Sequence, residues 1–371
     1  MKFSVEKATL LHSLQHLSKA VPTRSTLPIL SCALFKTINN KLTIRATNLE
    51  VYISVEIEVD NSLPGMVAIP LNTLLEITMA MPEEFLHFEI SDIGKVLISS
   101  TCGKYTIMGQ QSEEFPSEPS IKVGNNLIIP SEEFLDIINC TTYATSRDEL
   151  KPVLQGVLIN IDKKGLTAVA TDGHRLVRLK KMELKSGSFE GSVVIPVKFL
   201  SLLKPFLQKK ESLSLQIGVN HILVNLESIR ISSRIIKEKY PDYESVIPKD
   251  NESELTINKE ELAQSVKRVS IFSNKSTKQI ALSLNQNKIT ISTEDPENIT
   301  TGKETIECIY SGEPMIIGYN AQYLGDVLKN QQSEEIKILF KSPLNAGIFL
   351  PTKQQAGEDK TTLLMPIRLN D

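Results

Sequence analysis

Cysteine is scarce in this sequence: Cys32, Cys102, Cys140 and Cys308 are the only four, far apart and with no Cys-x-x-Cys pair. Disulfide frameworks and zinc sites need tighter or more regular spacing, so the expectation is four small buried hydrophobes in a reducing cytoplasm. Histidine is nearly as sparse. Positions 12, 16, 87, 174 and 221 make no His-Glu-x-x-His or similar ligand pair, so neither a metal nor a cofactor is expected. No stretch approaches the roughly 18 uninterrupted apolar residues of a membrane span. The opening Met-Lys-Phe-Ser-Val lacks a signal-peptide pattern. A basic excess is missing too, since 41 Lys and Arg face 44 Asp and Glu, for a net charge of −3. That balance excludes a protein gripping DNA phosphates over its whole surface, but it leaves room for a locally positive channel. There is no Gly-rich phosphate loop, nucleophile elbow or cluster of acidic metal ligands.

What is present is repetition. Strand-then-helix segments open at Phe3-Ser4-Val5, Leu127-Ile128-Ile129 and Leu255-Thr256-Ile257, with Val5 and Ile129 124 residues apart and Ile129 and Ile257 128 apart. A second set reads Val67-Ala68-Ile69-Pro70, Val193-Val194-Ile195-Pro196 and Met315-Ile316-Ile317-Gly318, at intervals of 126 and 122. A third, Thr43 to Thr47, Thr167 to Thr171 and Thr290 to Thr293, keeps nearly the same spacing. Three markers in register mean three copies of one unit.

Each unit divides again, because Val5 and Ile69 are 64 residues apart and both lead into a helical stretch. Leu10, Leu11, Leu14 and Leu17 make one apolar helix face; Leu71, Leu74, Leu75 and Thr78 make another. Asn258 with Glu261 three residues later reads as an N-cap pair opening the fifth helix. The rest of each half alternates as strands, with turns at Asn39-Asn40 and Asp92-Ile93-Gly94. The fold expected is α+β: three tandem similar domains, each of two halves built from one helix and several antiparallel strands. Pro and charge accumulate near Phe115-Pro116 and Tyr240-Pro241, which sets domains at 1–122, 123–249 and 250–371. Such an arc can close into a ring if its ends are complementary.

Thr171-Asp172-Gly173-His174-Arg175 is the densest motif. Asp-Gly between alternating runs is a tight hairpin turn with Gly at positive φ. The enzymatic alternative pairs Asp172 and His174 as acid and base, although no third catalytic group accompanies them.

The ordered set of Thr26-Leu27-Pro28-Ile29-Leu30, Phe115-Pro116, Ala170 to Leu176, Tyr240-Pro241-Asp242-Tyr243 and Met365 to Leu369 resembles the bacterial sliding clamp family along the whole chain. The resemblance implies a non-catalytic subunit of the replicative polymerase, a homodimeric ring with helices lining the hole and sheets outside. It implies sequence-independent binding of double-stranded DNA, together with the clamp loader, the replicative DNA polymerase and other proteins carrying a clamp-binding peptide as partners. It further implies a cytoplasmic location and no membrane partner.

Carried over position by position, the peptide pocket is lined by Leu154, Thr171, Gly173, His174, Arg175, Leu176, Pro241 and Val246. Asn320, Tyr323, Leu344, Met365, Pro366, Ile367, Arg368 and Leu369 complete it. The apolar members offer a slot, Met adapts to several side chains, and Arg175 suits a carboxamide or carboxylate. Arg24 matches a DNA-contacting position of the family, whereas Asn72, Asp148, Pro152 and Val153 depart from it, with Arg147 and Lys151 close by. His12, His16 and Lys19 lie opposite the leucines of the first helix, the fourth helix carries Lys198 and Lys204 with Lys209 and Lys210 beyond, and the fifth has Lys267 and Arg268. Subunit closure is expected to join an edge strand around Tyr105 and Ile107 to a patch at Ile271 and Phe272. A monomeric β-rich scaffold unrelated to DNA is the remaining alternative.

Overall fold

A computed structural model of the chain describes residues 1–119, 124–182, 184, 187–208 and 211–369. Lys209 and Lys210, and the boundary placed between 122 and 123, lie outside the described residues. The first half-repeat runs β1 (Lys2–Glu6), α1 (Lys7–Leu17), β2 (Cys32–Ile38), β3 (Lys41–Thr47) and β4 (Val51–Glu58). After the short β5 (Asp60–Leu63), the second runs β6 (Gly65–Pro70), α2 (Leu71–Ala80), β7 (Phe85–Ile90), β8 (Lys95–Ser100) and β9 (Gly103–Met108). The same order returns in β10 (Asn125–Pro130), α3 (Ser131–Thr141), β11 (Gly156–Asp162), β12 (Gly165–Thr171) and β13 (Arg175–Met182). It continues in β14 (Gly191–Pro196), α4 (Val197–Leu207), β15 (Ser212–Ile217), β16 (His221–Leu226) and β17 (Ile229–Arg234). The fifth half is β18 (Ser253–Asn258), α5 (Lys259–Val269), β19 (Gln279–Asn285), β20 (Lys288–Asp295) and β21 (Thr300–Glu307), followed by β22 (Ile309–Tyr310). The sixth is β23 (Met315–Asn320), α6 (Ala321–Lys329), β24 (Glu335–Phe340), β25 (Gly347–Pro351) and β26 (Glu358–Leu364). Strand, helix, three strands: the period read in the sequence recurs six times among the described residues.

The leading strand of each half pairs with the strands of the other half. In the first repeat β6 joins β2-β3-β4 while β1 joins β7-β8-β9, and the same exchange gives β14-β11-β12-β13, β10-β15-β16-β17, β23-β19-β20-β21 and β18-β24-β25-β26. Wherever their register is described, these exchanged pairings are antiparallel, and each half is completed by a strand from its sibling. The turn chemistry follows: Asn39 and Asn40, at φ 50 and 59, make the two-residue β2–β3 loop.

Successive repeats share sheets. β4 pairs with β17 from Ile229↔Val55 to Ser233↔Val51. β13 pairs with β26 from Arg175↔Leu364 to Lys181↔Glu358. In both joints the last strand of a first half meets the last strand of the next repeat's second half. This sharing explains why the contacts divide into two compact units that cut across the repeats: Met1–Ile128 with Ser201–Ile235, and Ile129–Leu200 with Ile236–Asp371. Of the six strands that close a half, β9 and β21 are the two that have a neighbour on one side only among the described residues; β5, β6, β10, β14, β22 and β23 are also sheet edges.

Helices turn their apolar faces onto the sheets. On α1 the buried positions are Lys7, Leu10, Ser13, Leu14 and Leu17, with Leu11 half-buried at the margin of the expected face. In the third repeat Leu262 and Val266 of α5 meet Leu324, Val327 and Leu328 of α6 over Leu255, Ile280, Ile291 and Ile338. Asn258 Oδ1 accepts from the Glu261 amide at 3.0 Å, the cap expected from sequence. Asn320 caps α6 likewise, accepting from the Gln322 and Tyr323 amides at 3.0 and 3.2 Å. Capping satisfies amides that have no partner inside the helix.

An ion cluster around the buried Lys181 ties α3 to the sheet shared by β13 and β26. Lys181 Nζ lies 2.7 Å from Glu133, 2.9 Å from Asp136 and against Glu358. Burial alone lowers the pKa of Lys181, but its hydrogen bonds to the three carboxylates outweigh that and raise it. Asp136 moves oppositely: burial pushes it up, and Lys181 together with hydrogen bonds from Cys140 and Gln332 more than offsets this to hold it down. The buried Cys140 thiol beside it is pushed up to about 11 by burial, which keeps it protonated and inert; Cys32 is buried as expected, whereas Cys308 is half-buried and Cys102, in the turn between β8 and β9, is exposed.

Candidate functional site

The site grows from the β12–β13 hairpin. Gly173 has φ +91 with open space where a Cβ would stand, so the turn demands glycine for its backbone and not for room. Asp172 Oδ1 accepts from the His174 and Arg175 amides at 2.9 and 3.0 Å, while Thr171 Oγ donates to the Arg175 carbonyl at 2.7 Å. Asp172 Oδ2 accepts from Arg175 Nε at 3.0 Å. The Asp172 carboxylate is therefore occupied in holding the turn.

Arg175 is only 7% exposed. Its Nη1 donates to Asp326 of α6 at 2.6 Å, and its guanidinium carbon lies 4.7 Å from the Tyr323 ring centre and 5.4 Å from that of Tyr143. Two carboxylates and two aromatic faces thus fix the guanidinium. Sequence reading offered Arg175 as a group facing a ligand. In the fold it is mostly buried in the wall, where it ties the hairpin to α6 while still bordering the cleft. His174 stays exposed and stacks on Tyr323, with ring centres 5.6 Å apart and planes at 21°.

These residues border a cleft of about 740 Å³. Its lining brings His174, Arg175, Asn320 and Tyr323, from the expected peptide pocket, together with Arg147 and Lys151, from the expected DNA set. Sequence reading missed Tyr143, Asp326, Lys278 and Gln322, which also line it. Asp326 and Arg175 are 151 positions apart, and only the pairing of β13 with β26 and the packing of α6 bring them together.

Beside the hairpin lies an apolar floor: Leu154, Leu158, Val169, Leu176, Val194, Tyr240, Ala346 and Leu363 form one buried cluster, flanked by Val153, Tyr243 and Ile247. Pro241 follows Tyr240 in the chain and is exposed. Three expected pocket residues next to cluster members stand open to solvent: Val246 at 54%, Leu344 at 67% and Met365 at 42%. The segment from Met365 leaves β26 alongside the hairpin, its amide donating to the His174 carbonyl at 2.8 Å. Ile367 then donates to the Gly318 carbonyl of β23 at 2.9 Å, with Pro366 half-buried, Arg368 exposed and the Leu369 side chain over Gly318. Exposed large apolar side chains around a buried apolar floor are what a partner-binding slot requires.

The other expected residues fall elsewhere. Arg24 is exposed on the loop after α1; on α4, Lys198 is exposed and Lys204 half-buried. Tyr105 and Ile107 sit on β9. Ile271 and Phe272 lie in a short turn after α5, where Phe272 accepts from Thr300 Oγ of β21 through its carbonyl at 3.0 Å.

Family models for the N-terminal, central and C-terminal domains of the DNA polymerase III beta subunit match residues 1–119, 128–242 and 244–368. A Caulobacter vibrioides protein named Beta sliding clamp is 28% identical over the whole of both chains. One of the same name from Pseudomonas putida is 27% identical, again over 100% of each. Among solved structures, the C. crescentus beta sliding clamp is similar at 28% identity and a TM-score of 0.91, covering both chains fully. The DNA polymerase sliding clamp from Bacillus subtilis is similar at 25% identity and a TM-score of 0.90, also over 100% of each.

Proposed function

This chain belongs to the DNA polymerase III beta subunit family, and from that premise we propose how it works in DNA replication. It acts as a DNA sliding clamp, an accessory subunit without catalysis of its own. Its three domains, at 1–122, 123–249 and 250–371, form an arc, and two arcs pair head to tail into a ring around duplex DNA, with helices lining the hole and sheets outside.

The observation that carries the ring is the pairing rule of the sheets. Each internal joint sets the last strand of a first half against the last strand of the following second half, as β4 with β17 and β13 with β26. Applied once more, the rule pairs β21 of one copy with β9 of the next. Tyr105 and Ile107 on β9, with Ile271 and Phe272 beside β21, supply the apolar side chains of that joint. An exposed edge strand is a template for another chain, and here pairing would use it productively.

Enclosure replaces grip. Contacts from Arg24, Arg147, Lys151, Lys198 and Lys204 to phosphates need only be weak and sequence-independent, so the ring slides. The apolar slot beside the hairpin takes a short peptide of the replicative polymerase, the clamp loader or another client, and tethering keeps the client near its template at high effective concentration. Work in the cytoplasm fits this role, and no helix among the described residues is long and apolar enough to cross a membrane.

Protein loaded on nicked circular DNA should be lost once the DNA is linearised with free ends. Equal retention on circles and on unblocked linear DNA means ordinary binding and ends the ring proposal.

A further inference from the structure

Two of the five histidines, His12 and His16, are one helical turn apart on α1. Side chains four residues apart share a helix face. Sequence reading passed this spacing over, expecting no ligand pair. In the fold the two Nε2 atoms are 3.3 Å apart, with ring centres at 4.5 Å. We propose that His12 and His16 form a two-ligand site for a divalent transition-metal ion of the zinc, nickel or copper class.

The separation has a direct chemical meaning. A tetrahedral ion about 2.0–2.1 Å from each imidazole nitrogen holds the two nitrogens about 3.3–3.4 Å apart. The competing use of the same geometry is a hydrogen bond from one ring to the other. A metal ion would replace that shared proton, and the needed reorientation is rotation about broad terminal side-chain torsions. Imidazole suits zinc, nickel and copper, with copper bound tightest in the usual order.

The surroundings hold the pair and leave space beside it. Leu10, Leu14 and Leu17 anchor the opposite face of α1 in the core. The Phe206 ring lies 4.9 Å from that of His16 and restricts its swing. His12 is exposed on the rim of a cleft of about 310 Å³ that also touches Ser13 and Ser228. No group of three or more candidate ligands occurs among the described residues, and the site proposed has two protein ligands, with solvent as the source of the others. An ion held by two side chains exchanges readily. The site goes beyond the clamp activity and does not depend on ring closure.

The full-length untagged protein, titrated with copper(II) chloride by calorimetry, should take up one ion. Electron paramagnetic resonance should show two coupled nitrogens from the protein. H12A and H16A should each weaken uptake at least ten-fold and remove one nitrogen from the spectrum, and the double variant should lose the site. Circular dichroism checks that each variant is folded, and H12N offers a second exposed substitution. A wild-type chain that takes up no copper, or a folded double variant that binds as tightly as wild type, overturns the proposal.

Discussion

At position 175 a guanidinium is committed on every side, to Asp172, Asp326, Tyr143 and Tyr323. Removing it in R175A leaves two carboxylates without their cation, one of them almost buried, and the cost should be about 2–4 kcal/mol in urea unfolding. Client-peptide affinity, read by fluorescence polarisation, should fall at least ten-fold because the hairpin loses its tie to α6. H174A removes only the exposed ring stacked on Tyr323, so stability should change by no more than about 0.5 kcal/mol. Peptide binding should still weaken, and unchanged binding in both variants would remove the hairpin from the pocket. Asp172-Gly173 made this motif legible as a turn from local chemistry alone. The partner Asp326 left no sequence signal, because its contact depends on which strands pair.

Elements carry the next set of expectations. K181M strips the Lys181 cation from Glu133, Asp136 and Glu358, and the shared sheet should lose about 2–3 kcal/mol, less than for a fully enclosed pair because Glu133 is open to solvent. The pH sign follows from Asp136. Its folded pKa is depressed, so its contribution is complete above the unfolded value of about 3.9 and is lost as pH falls through the folded value. Urea midpoints measured across that range should fall less steeply in K181M than in wild type. On the open edges, I107E or F272E should convert a dimer into a 41.3 kDa species in sedimentation velocity. A dimer surviving both would place the subunit joint away from β9 and β21. Helix faces, the Asn258 cap and the Asn39-Asn40 turn were readable because each depends on residues within a few positions. The cap on Asn320 was not read as one, lacking the acidic residue three positions on that marks Asn258.

For the whole molecule, topology and charge make separable predictions. On closed circles the loaded protein should persist through a wash at about 0.5 M salt that strips a protein held by phosphate contacts alone. Loss at the same rate from circles and short linear duplexes would mean grip without enclosure. Repetition was legible from end to end, since strand and helix periods of one unit recur at fixed intervals and local patterning encodes them directly. By itself the chain determined its six helix-and-strand halves, their turns, and the hairpin at 171–175. Only the tertiary structure decided that leading strands cross between sibling halves, that β4 meets β17 and β13 meets β26, and that Arg175 turns inward to Asp326. The reason is physical: periodicity reports which face of an element is buried, whereas strand partners far apart in sequence are chosen by packing, which no short window of residues contains.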